Sequence, residues 1–301
     1  MITENLNKER HWSIEKGFAA GGLVFALGLG LQIACGPVRW QDFAWPVNVI
    51  LFAVLLSLIA IMFMLRKRVY AFRWMMHGEA AVASITWALG LTMIMGLVPQ
   101  LRSDGVPWLS QMLSFWPFVL VWTWMLIIDA LACLNHISRF KLREIPFILN
   151  HLGVFIAIVC ATLGNPDMQQ LQMTVYENHS EWQAITAEGK VVEPGLAIQL
   201  HDFSVEYYPD GSPKRFASDI SVHSKNGSQA QGTVEVNKAM KVEGWKIYQY
   251  GYDSSLGDNS PYSIFLMVKD PWLPLVYAGI FLMLAGALCL LLFMAPKTVE
   301  K

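Results

Sequence analysis

Six long apolar stretches constrain this chain more than any other feature of its sequence. A helix needs about 20 apolar residues to cross a hydrocarbon core of about 30 Å, and each stretch is of that order. The stretches lie at 17–36, 46–65, 79–98, 114–134, 145–164 and 272–295. Charged residues make up only 15% of the chain, against about 25% in an average soluble domain. The sequence therefore predicts an α-helical integral membrane protein with six transmembrane helices.

The positive charges predict the direction in which these helices run. The connections after the second and fourth stretches are rich in basic residues, whereas those after the first and third hold one arginine each, Arg39 and Arg102. The basic residues are Arg66, Lys67, Arg68 and Arg73 in the second connection and Arg139, Lys141 and Arg143 in the fourth. Basic residues collect on the cytoplasmic side of membranes. We therefore expect both basic connections, the N-terminus and the C-terminal segment PKTVEK in the cytoplasm.

The first apolar stretch follows a charged segment, MITENLNKERHWSIEKG, and has no small-residue cleavage site. A secretory signal peptide would end in such a site. We therefore interpret this stretch as a retained helix.

Residues 165–271 follow a different pattern, with short alternating runs that are separated by turn residues. The runs LAIQLHDFSVEYY and KRFASDISVHS flank a Pro-Asp-Gly turn, which is typical of two strands. Asn226-Gly227 marks a second hairpin. Further strand-like runs are GTVEVNKAMKV, GWKIYQYGYD and PYSIFLMV. This region is predicted to form an antiparallel sheet or sandwich.

The predicted order of domains follows from these patterns. Residues 1–164 form a bundle of five helices with a cytoplasmic N-terminus. Residues 165–271 form a β-rich extracytoplasmic domain, inserted between the fifth and sixth helices. Residues 272–301 form the sixth helix and a cytoplasmic tail.

Composition and motifs exclude several kinds of site. A net charge of −1 gives no reason to expect nucleic acid as a partner. The four cysteines are far apart in the sequence, and no CxxC, CxxCH or Cys/His cluster is present, so the usual signatures of disulfide, zinc and covalent haem sites are missing. The sequence also holds no HExxH motif and no Gly-rich phosphate loop. We therefore predict no catalytic residues and no metal site of the chain's own.

His151 is the leading candidate for a functional side chain. It lies in the first two turns of the fifth apolar stretch, where an ionisable group is costly and commonly marks a functional site. An imidazole on a bundle helix is a common axial ligand of haem iron. Alternatively, His151 hydrogen-bonds to a neighbouring helix for packing alone.

Asp129 is the second candidate, because it is expected at the same depth as His151. The two residues are equally far in sequence from Phe140, which lies in the basic connection of a predicted helical hairpin. Asp129 would then accept the second ring N–H of His151 and fix its tautomer. Alternatively, Asp129 pairs with Arg139 or Lys141 of the connection.

Other polar and aromatic residues have ordinary interpretations. His136, His77 and Glu79 fall at the inner ends of helices, where a position at the membrane interface is expected, although together they would suit capture of haem from inside. Three evenly spaced tyrosines are expected on one face of a strand, as part of the core or as a contact surface. They are Tyr248, Tyr250 and Tyr252.

The stretch VNKAMKVEGWKIYQYGYD, Val236–Asp253, resembles the ResB (CcsB) family of cytochrome c biogenesis. The family pattern is Val-Asn, a short amphipathic turn, Gly, an aromatic residue, Ile-Tyr-Gln and Tyr-Asp. LHDFSVEYYPDGSPKRFASDISV is similar to the family's strand, turn and strand, and NHLGVFIAIVCATLG is similar to its helix with a membrane histidine. DPWLPLVYAGIFLMLAG resembles the entry into the family's last helix. The resemblance covers roughly residues 147–295.

The resemblance implies a subunit of the haem export and cytochrome c synthase complex of System II, in the bacterial cytoplasmic membrane. Its implied cofactor is b-type haem, bound transiently, with His151 as an axial ligand. The possible position of Asp129 behind this ligand rests on the hairpin argument alone. Its implied partners are membrane lipids, the CxxCH apocytochromes and CcsA, a membrane protein with a Trp-rich loop. Because bond formation is expected on CcsA, this chain is implied to be an accessory subunit rather than an enzyme alone.

The tryptophans of this chain do not supply that loop. The segment WPFVLVWTW lies inside a predicted helix, so the CcsA-like partner is expected to be a separate chain. The alternative function is a membrane-anchored scaffold that binds another protein without haem.

Overall fold

The computed structural model describes residues 13–100 and 108–293. It divides into two compact units, one formed by the described parts of Met1–Pro166 and Leu273–Lys301, the other by Asp167–Trp272. The predictions for residues 1–12, for Arg102 and for the PKTVEK tail lie outside the described residues.

Six helices of the described residues are long and apolar enough to cross a membrane, which confirms the predicted number of long apolar helices. The helices are α1 (Ile14–Cys35), α2 (Val47–Leu65), the short α3 (Tyr70–Trp74), α4 (Gly78–Leu97), α5 (Trp116–Ser138), α6 (Ile145–Gly164) and α7 (Leu273–Phe293). Two details differ from the prediction. The basic connection after α2 folds into α3, whose Trp74 is buried, and α5 continues past residue 134 to Ser138.

Glycines in α1 allow close approach of neighbouring helices. A Cβ atom on Gly28 would lie 2.5 Å from Cα of Pro117 in α5, and one on Gly21 would overlap the indole ring of Trp87 in α4. Gly22 and Gly30, in contrast, have room, since no atom lies within 4 Å of a Cβ on Gly30. Gly21 and Gly28 therefore allow close approach of α4 and α5 to α1.

α6 and α7 pack at similarly short range. A Cβ atom on Gly153 of α6 would lie 2.6 Å from the carbonyl oxygen of Gly279 in α7, and one on Gly279 would lie 2.6 Å from the backbone nitrogen of Ala157. Small residues four positions apart are a common means of close helix contact in membranes. This contact fixes one side of α6, the helix that carries His151.

The second unit is a sandwich of two antiparallel sheets, which confirms a separate β-rich domain. Its strands are β1 (Gln169–Tyr176), β2 (Ser180–Glu181), β3 (Ala184–Thr186), β4 (Val191–Val192), β5 (Leu196–Tyr207), β6 (Pro213–Ser224), β7 (Gln229–Glu235), β8 (Met240–Val242), β9 (Trp245–Tyr252) and β10 (Tyr262–Lys269). The sheets have the orders β4-β3-β1-β10-β9-β8 and β2-β5-β6-β7. Alternate side chains of both sheets meet in one core, with Met173, Ile198, Ile220, Ile247 and Phe265 fully buried.

The short strands β2, β3 and β4 were not predicted, and two further departures from the sequence prediction concern β1 and the run that contains β7 and β8. The run GTVEVNKAMKV is not one strand, because the chain turns after Glu235 and β7 and β8 belong to different sheets. β1 was not predicted, although it is central in its sheet and pairs with β10 along its whole length. Its alternating Leu171, Met173 and Val175 are the signal that would have identified it.

A β-bulge separates the three evenly spaced tyrosines, so the expectation that they share one face is wrong. Tyr250 is the extra residue between two ladder pairs of β9 and β10, and it is exposed. Beyond the bulge, Tyr252 stacks on Phe203 of the other sheet, with 5.0 Å between ring centroids, and lies 5.2 Å from the ring of Phe216. Tyr248, before the bulge, lies on the face away from the core.

The two chain ends of the β unit lie side by side. Nε1 of Trp272 donates a hydrogen bond of 2.8 Å to Oδ2 of Asp167, and the β1–β10 ladder starts nearby with the pair Gln169 and Lys269. The start of β1 and the end of β10, which lead to α6 and α7 in the sequence, therefore lie at the same end of these two central strands.

We expect Gly28→Leu to lower the stability of the helical unit and Gly30→Leu to leave it nearly unchanged. The first change forces a side chain into the backbone of α5, which costs about 1–3 kcal/mol in overpacked sites, whereas the second points into open space. Thermal unfolding of both variants in the same detergent measures the difference. Equal melting temperatures for the two variants would contradict the close α1–α5 contact.

Candidate functional site

The turn between α5 and α6 brings His136 and His151 close together, on either side of Phe147. α5 ends at Ser138, a short 3₁₀ turn spans Leu142–Glu144, and Pro146 opens α6, a position where its missing N–H is not needed. The two helices contact each other beside this turn, where Sγ of Cys133 lies 3.9 Å from the carbonyl oxygen of Ile148. The antiparallel hairpin expected from the short basic connection is therefore present.

Three aromatic rings from the two helices form a continuous stack. The ring of Phe147 lies between the imidazoles of His136 and His151, with centroid separations of 3.9 Å and 3.7 Å. The planes of neighbouring rings differ by only 27° and 20°. We call this set the His–Phe–His stack, and it restricts rotation of both imidazoles.

Glu144 anchors the α5 end of the stack. Its Oε2 lies 2.8 Å from Nδ1 of His136, and its Oε1 accepts a hydrogen bond of 3.2 Å from Nε of Arg143. A carboxylate accepts from Nδ1 of His136 and thereby holds the imidazole plane.

At the α6 end of the stack, a hydrogen bond determines which nitrogen of His151 carries the hydrogen. Nδ1 of His151 lies 2.9 Å from the carbonyl oxygen of Phe147, one turn earlier in α6. A carbonyl oxygen only accepts, so Nδ1 must carry the hydrogen. In the neutral ring, Nε2 then has a lone pair, and it takes no hydrogen bond from the described residues. The half-buried imidazole is thus held in the tautomer that a metal ligand requires.

Asp129 forms neither of its two predicted contacts within the described residues. Its Oδ2 atom is buried in α5 and has no hydrogen-bond partner among the described residues. The ring N–H of His151 is already donated to Phe147, and no ion pair joins Asp129 to Arg139 or Lys141 within the described part of the chain. Its supporting role behind His151 stays a prediction, and the structure shows no bond between the two side chains.

His77 and Glu79 are not part of the stack. His77 is exposed and precedes α4 without capping it, and Glu79 lies in the first turn of that helix. In the β unit, Nε2 of His201 lies 2.7 Å from Oγ of Ser221, and Nδ1 of His179 lies 2.9 Å from the carbonyl oxygen of Glu177. Across residues 13–100 and 108–293, no three His, Cys, Asp or Glu side chains come together as a metal site would require.

Two residues of the site were not identified from the sequence, Phe147 and Glu144. Phe147 lies four residues before His151, a spacing that places side chains on one helix face. Its contact with that imidazole could therefore have been predicted from the sequence. Its contact with His136 depends on the register of two helices, which the sequence alone did not define.

The fold and the site define a protein class: a chain of six long apolar helices, with a separate β-sandwich and one oriented imidazole on a long apolar helix. Residues 138–260 match the ResB-like family. The match includes α6 with His151 and most of the β-sandwich, and it excludes Asp129 and His136. Residues 138–260 therefore form a ResB-like region of this chain.

Individual relatives are similar to this chain over short regions. A cytochrome c biogenesis protein CcsB of Prochlorococcus marinus (strain NATL1A) is 30% identical over 120 residues, which are 38% of this chain and 27% of that protein. The CcsB protein of strain NATL2A is 29% identical over 120 residues, again 38% of this chain and 27% of that protein. A cytochrome c biogenesis protein Ccs1 of Pyropia yezoensis is 34% identical over 74 residues, 24% of this chain and 17% of that protein. The chain thus matches about a quarter of the length of the CcsB proteins.

We expect Asp129→Asn to leave the melting temperature unchanged or to raise it, because the change removes an unpaired carboxylate from an apolar helix pair. Asn48→Ala provides the contrast. Asn48 is fully buried in α2 and its Nδ2 donates a hydrogen bond of 3.0 Å to the carbonyl oxygen of Leu163 in α6. Loss of this hydrogen bond should lower the free energy of unfolding by about 1 kcal/mol.

Thermal unfolding of the two variants in one detergent compares these effects. A larger loss of stability for Asp129→Asn than for Asn48→Ala would mean that the carboxylate has a stabilising partner, contrary to the structure.

Proposed function

We propose that this chain is a haem-handling subunit of a cytochrome c maturation complex in the bacterial cytoplasmic membrane. The observation that carries the proposal is the state of His151. Its Nδ1–H is committed to the Phe147 carbonyl, and its Nε2 lone pair has no partner among the described residues. This imidazole lies within the region that matches the ResB-like family, whose similar proteins are named for cytochrome c biogenesis.

The residues of the site fit a haem whose iron is held by one protein nitrogen. Haem iron is commonly bound by a histidine nitrogen, and Nε2 of His151 is the oriented donor. The ring of Phe147 and the hydrogen bond to its carbonyl hold the imidazole plane, so that little rotamer freedom is lost on ligation. When bound, the haem is cargo that the chain holds until attachment. We propose that a second axial ligand comes from the partner protein.

The same proposal assigns the two sides of the membrane. The basic residues after α2 and those between α5 and α6 would lie in the cytoplasm, with both chain ends, according to the positive-inside rule. The β-sandwich between α6 and α7 would then lie outside. His151, in the second turn of α6, would bind haem near the cytoplasmic face.

We further propose that bond formation takes place on a separate CcsA-like protein with a Trp-rich loop, as in System II. The tryptophans Trp116, Trp122 and Trp124 of this chain lie within α5, so they form no external loop. The β-sandwich would position that partner or the CxxCH apocytochrome. In this account the chain is an accessory subunit of a holocytochrome c synthase.

The test is an absorption spectrum of the chain after purification with its co-expressed CcsA-like partner. We expect the native complex to show a Soret band and His151→Ala to lose most of it. Loss of a direct ligand should weaken haem binding by more than the about 10–100-fold typical of residues behind a ligand.

His77→Ala is the matched control, because it removes an exposed imidazole that precedes α4 and lies outside the stack. Its Soret band should equal that of the native complex. If the complex assembles without haem in every form, the haem function is wrong and the scaffold function replaces it. A Soret band that is unchanged in His151→Ala would exclude His151 as the ligand.

A further inference from the structure

The turn between α5 and α6 forms a cavity that the proposed function does not use. Its volume is about 260 Å³. We call it the basic turn pocket, and its walls are formed by Asn135, His136, Arg139, Lys141, Arg143 and Glu144. Three of these six side chains are permanent cations, and only one is a carboxylate.

The charges of the pocket are not balanced by other side chains among the described residues. Glu144 is shared between Arg143 and His136. The side chains of Arg139 and Lys141 have no ion pair or hydrogen bond with any residue in the described ranges, and both are exposed toward solvent. Cations that line one concave surface create a positive potential there and attract counter-ions. The pocket is therefore complementary to an anion.

The start of α6 adds to this potential. α6 has 20 residues, begins at Ile145 beside the pocket, and has no side-chain hydrogen bond at its N-cap, Glu144. The unpaired N–H groups of a helix N-terminus favour negative charge. Guanidinium groups also bind carboxylates and phosphates with two parallel hydrogen bonds. Both features favour an oxyanion over a halide.

We propose that the basic turn pocket binds a carboxylate or phosphate, and that this anion is a propionate of the haem held by His151, which rests on the proposed function. The connection between the two sites is His136. Its imidazole is a wall of the pocket and also one end of the stack whose other end is His151. One phenylalanine ring therefore separates the pocket wall from the iron ligand. The headgroup of an anionic lipid is the other source of the same chemistry.

The experiment compares haem with its dimethyl ester, in which the propionates carry no charge. Each is titrated into the full chain with its co-expressed partner in uncharged lipid nanodiscs, and binding is followed by the Soret band. We expect the double variant Arg139→Gln/Lys141→Gln to bind haem about tenfold more weakly than the native chain. The same variant should bind the ester as the native chain does.

The matched control is Lys67→Gln/Arg68→Gln, which removes two exposed cations from the other basic connection. This control should bind haem as the native chain does. Equal affinity of the native chain for haem and for its ester would overturn the assignment to propionate. An equal loss of haem affinity in Lys67→Gln/Arg68→Gln would also overturn the assignment, because the weaker binding would then come from the change in net charge.

A second measurement separates this proposal from the haem function itself. If the native complex binds neither haem nor the ester, the haem function has failed, and the pocket is tested with phosphatidylglycerol. Mass spectrometry then compares the phosphatidylglycerol that is retained by the native chain and by both double variants. If only Arg139→Gln/Lys141→Gln retains less phosphatidylglycerol, the result would support binding of lipid phosphate in the basic turn pocket. Equal retention of phosphatidylglycerol in all three forms would overturn the proposal that this pocket binds an anion.

Discussion

The hydrogen bond from Nδ1 of His151 to the carbonyl oxygen of Phe147 is the interaction on which the site depends. In an apolar helix, an imidazole without such a bond could present either nitrogen and either tautomer. The carbonyl removes this choice, because it can only accept. The Phe147 ring then restricts the plane of the imidazole from one side. A single residue, one turn before the histidine, thus defines both the protonated nitrogen and the direction of the other.

The surrounding packing holds that geometry from two sides. Gly153 and Gly279 bring α6 and α7 into backbone contact on one face of α6, while α5 contributes His136 and its carboxylate partner Glu144. Under the proposed haem function, a fixed donor is an advantage, because less conformational entropy is lost on each binding event. The six apolar helices supply the fixed surroundings, and the polar atoms of the site are concentrated at one turn.

Much of this could be predicted from the sequence, and the failures have physical reasons. The long apolar helices follow from hydropathy and length alone, and α6 lies at its predicted bounds, 145–164. The tyrosine prediction assumed an uninterrupted strand, and the bulge at Tyr250 changes the face of every later residue. His151 was chosen as a candidate because it is an ionisable group in an apolar run, and its role as a ligand stays a prediction. Its bond to a backbone carbonyl was missed, since our argument considered only side chains such as Asp129 as acceptors.

The central claim is that Nδ1 of His151 carries the hydrogen that is donated to the carbonyl oxygen of Phe147, so that the lone pair of the neutral ring lies on Nε2. A long-range proton–nitrogen correlation spectrum of haem-free protein, labelled with ¹⁵N-histidine and assigned with His151→Ala, measures this directly. The account predicts that the neutral form of His151 has a protonated Nδ1 and an unprotonated Nε2. A neutral ring with its hydrogen on Nε2 would contradict it, because Nδ1 would then have no hydrogen to donate and Nε2 no lone pair for iron.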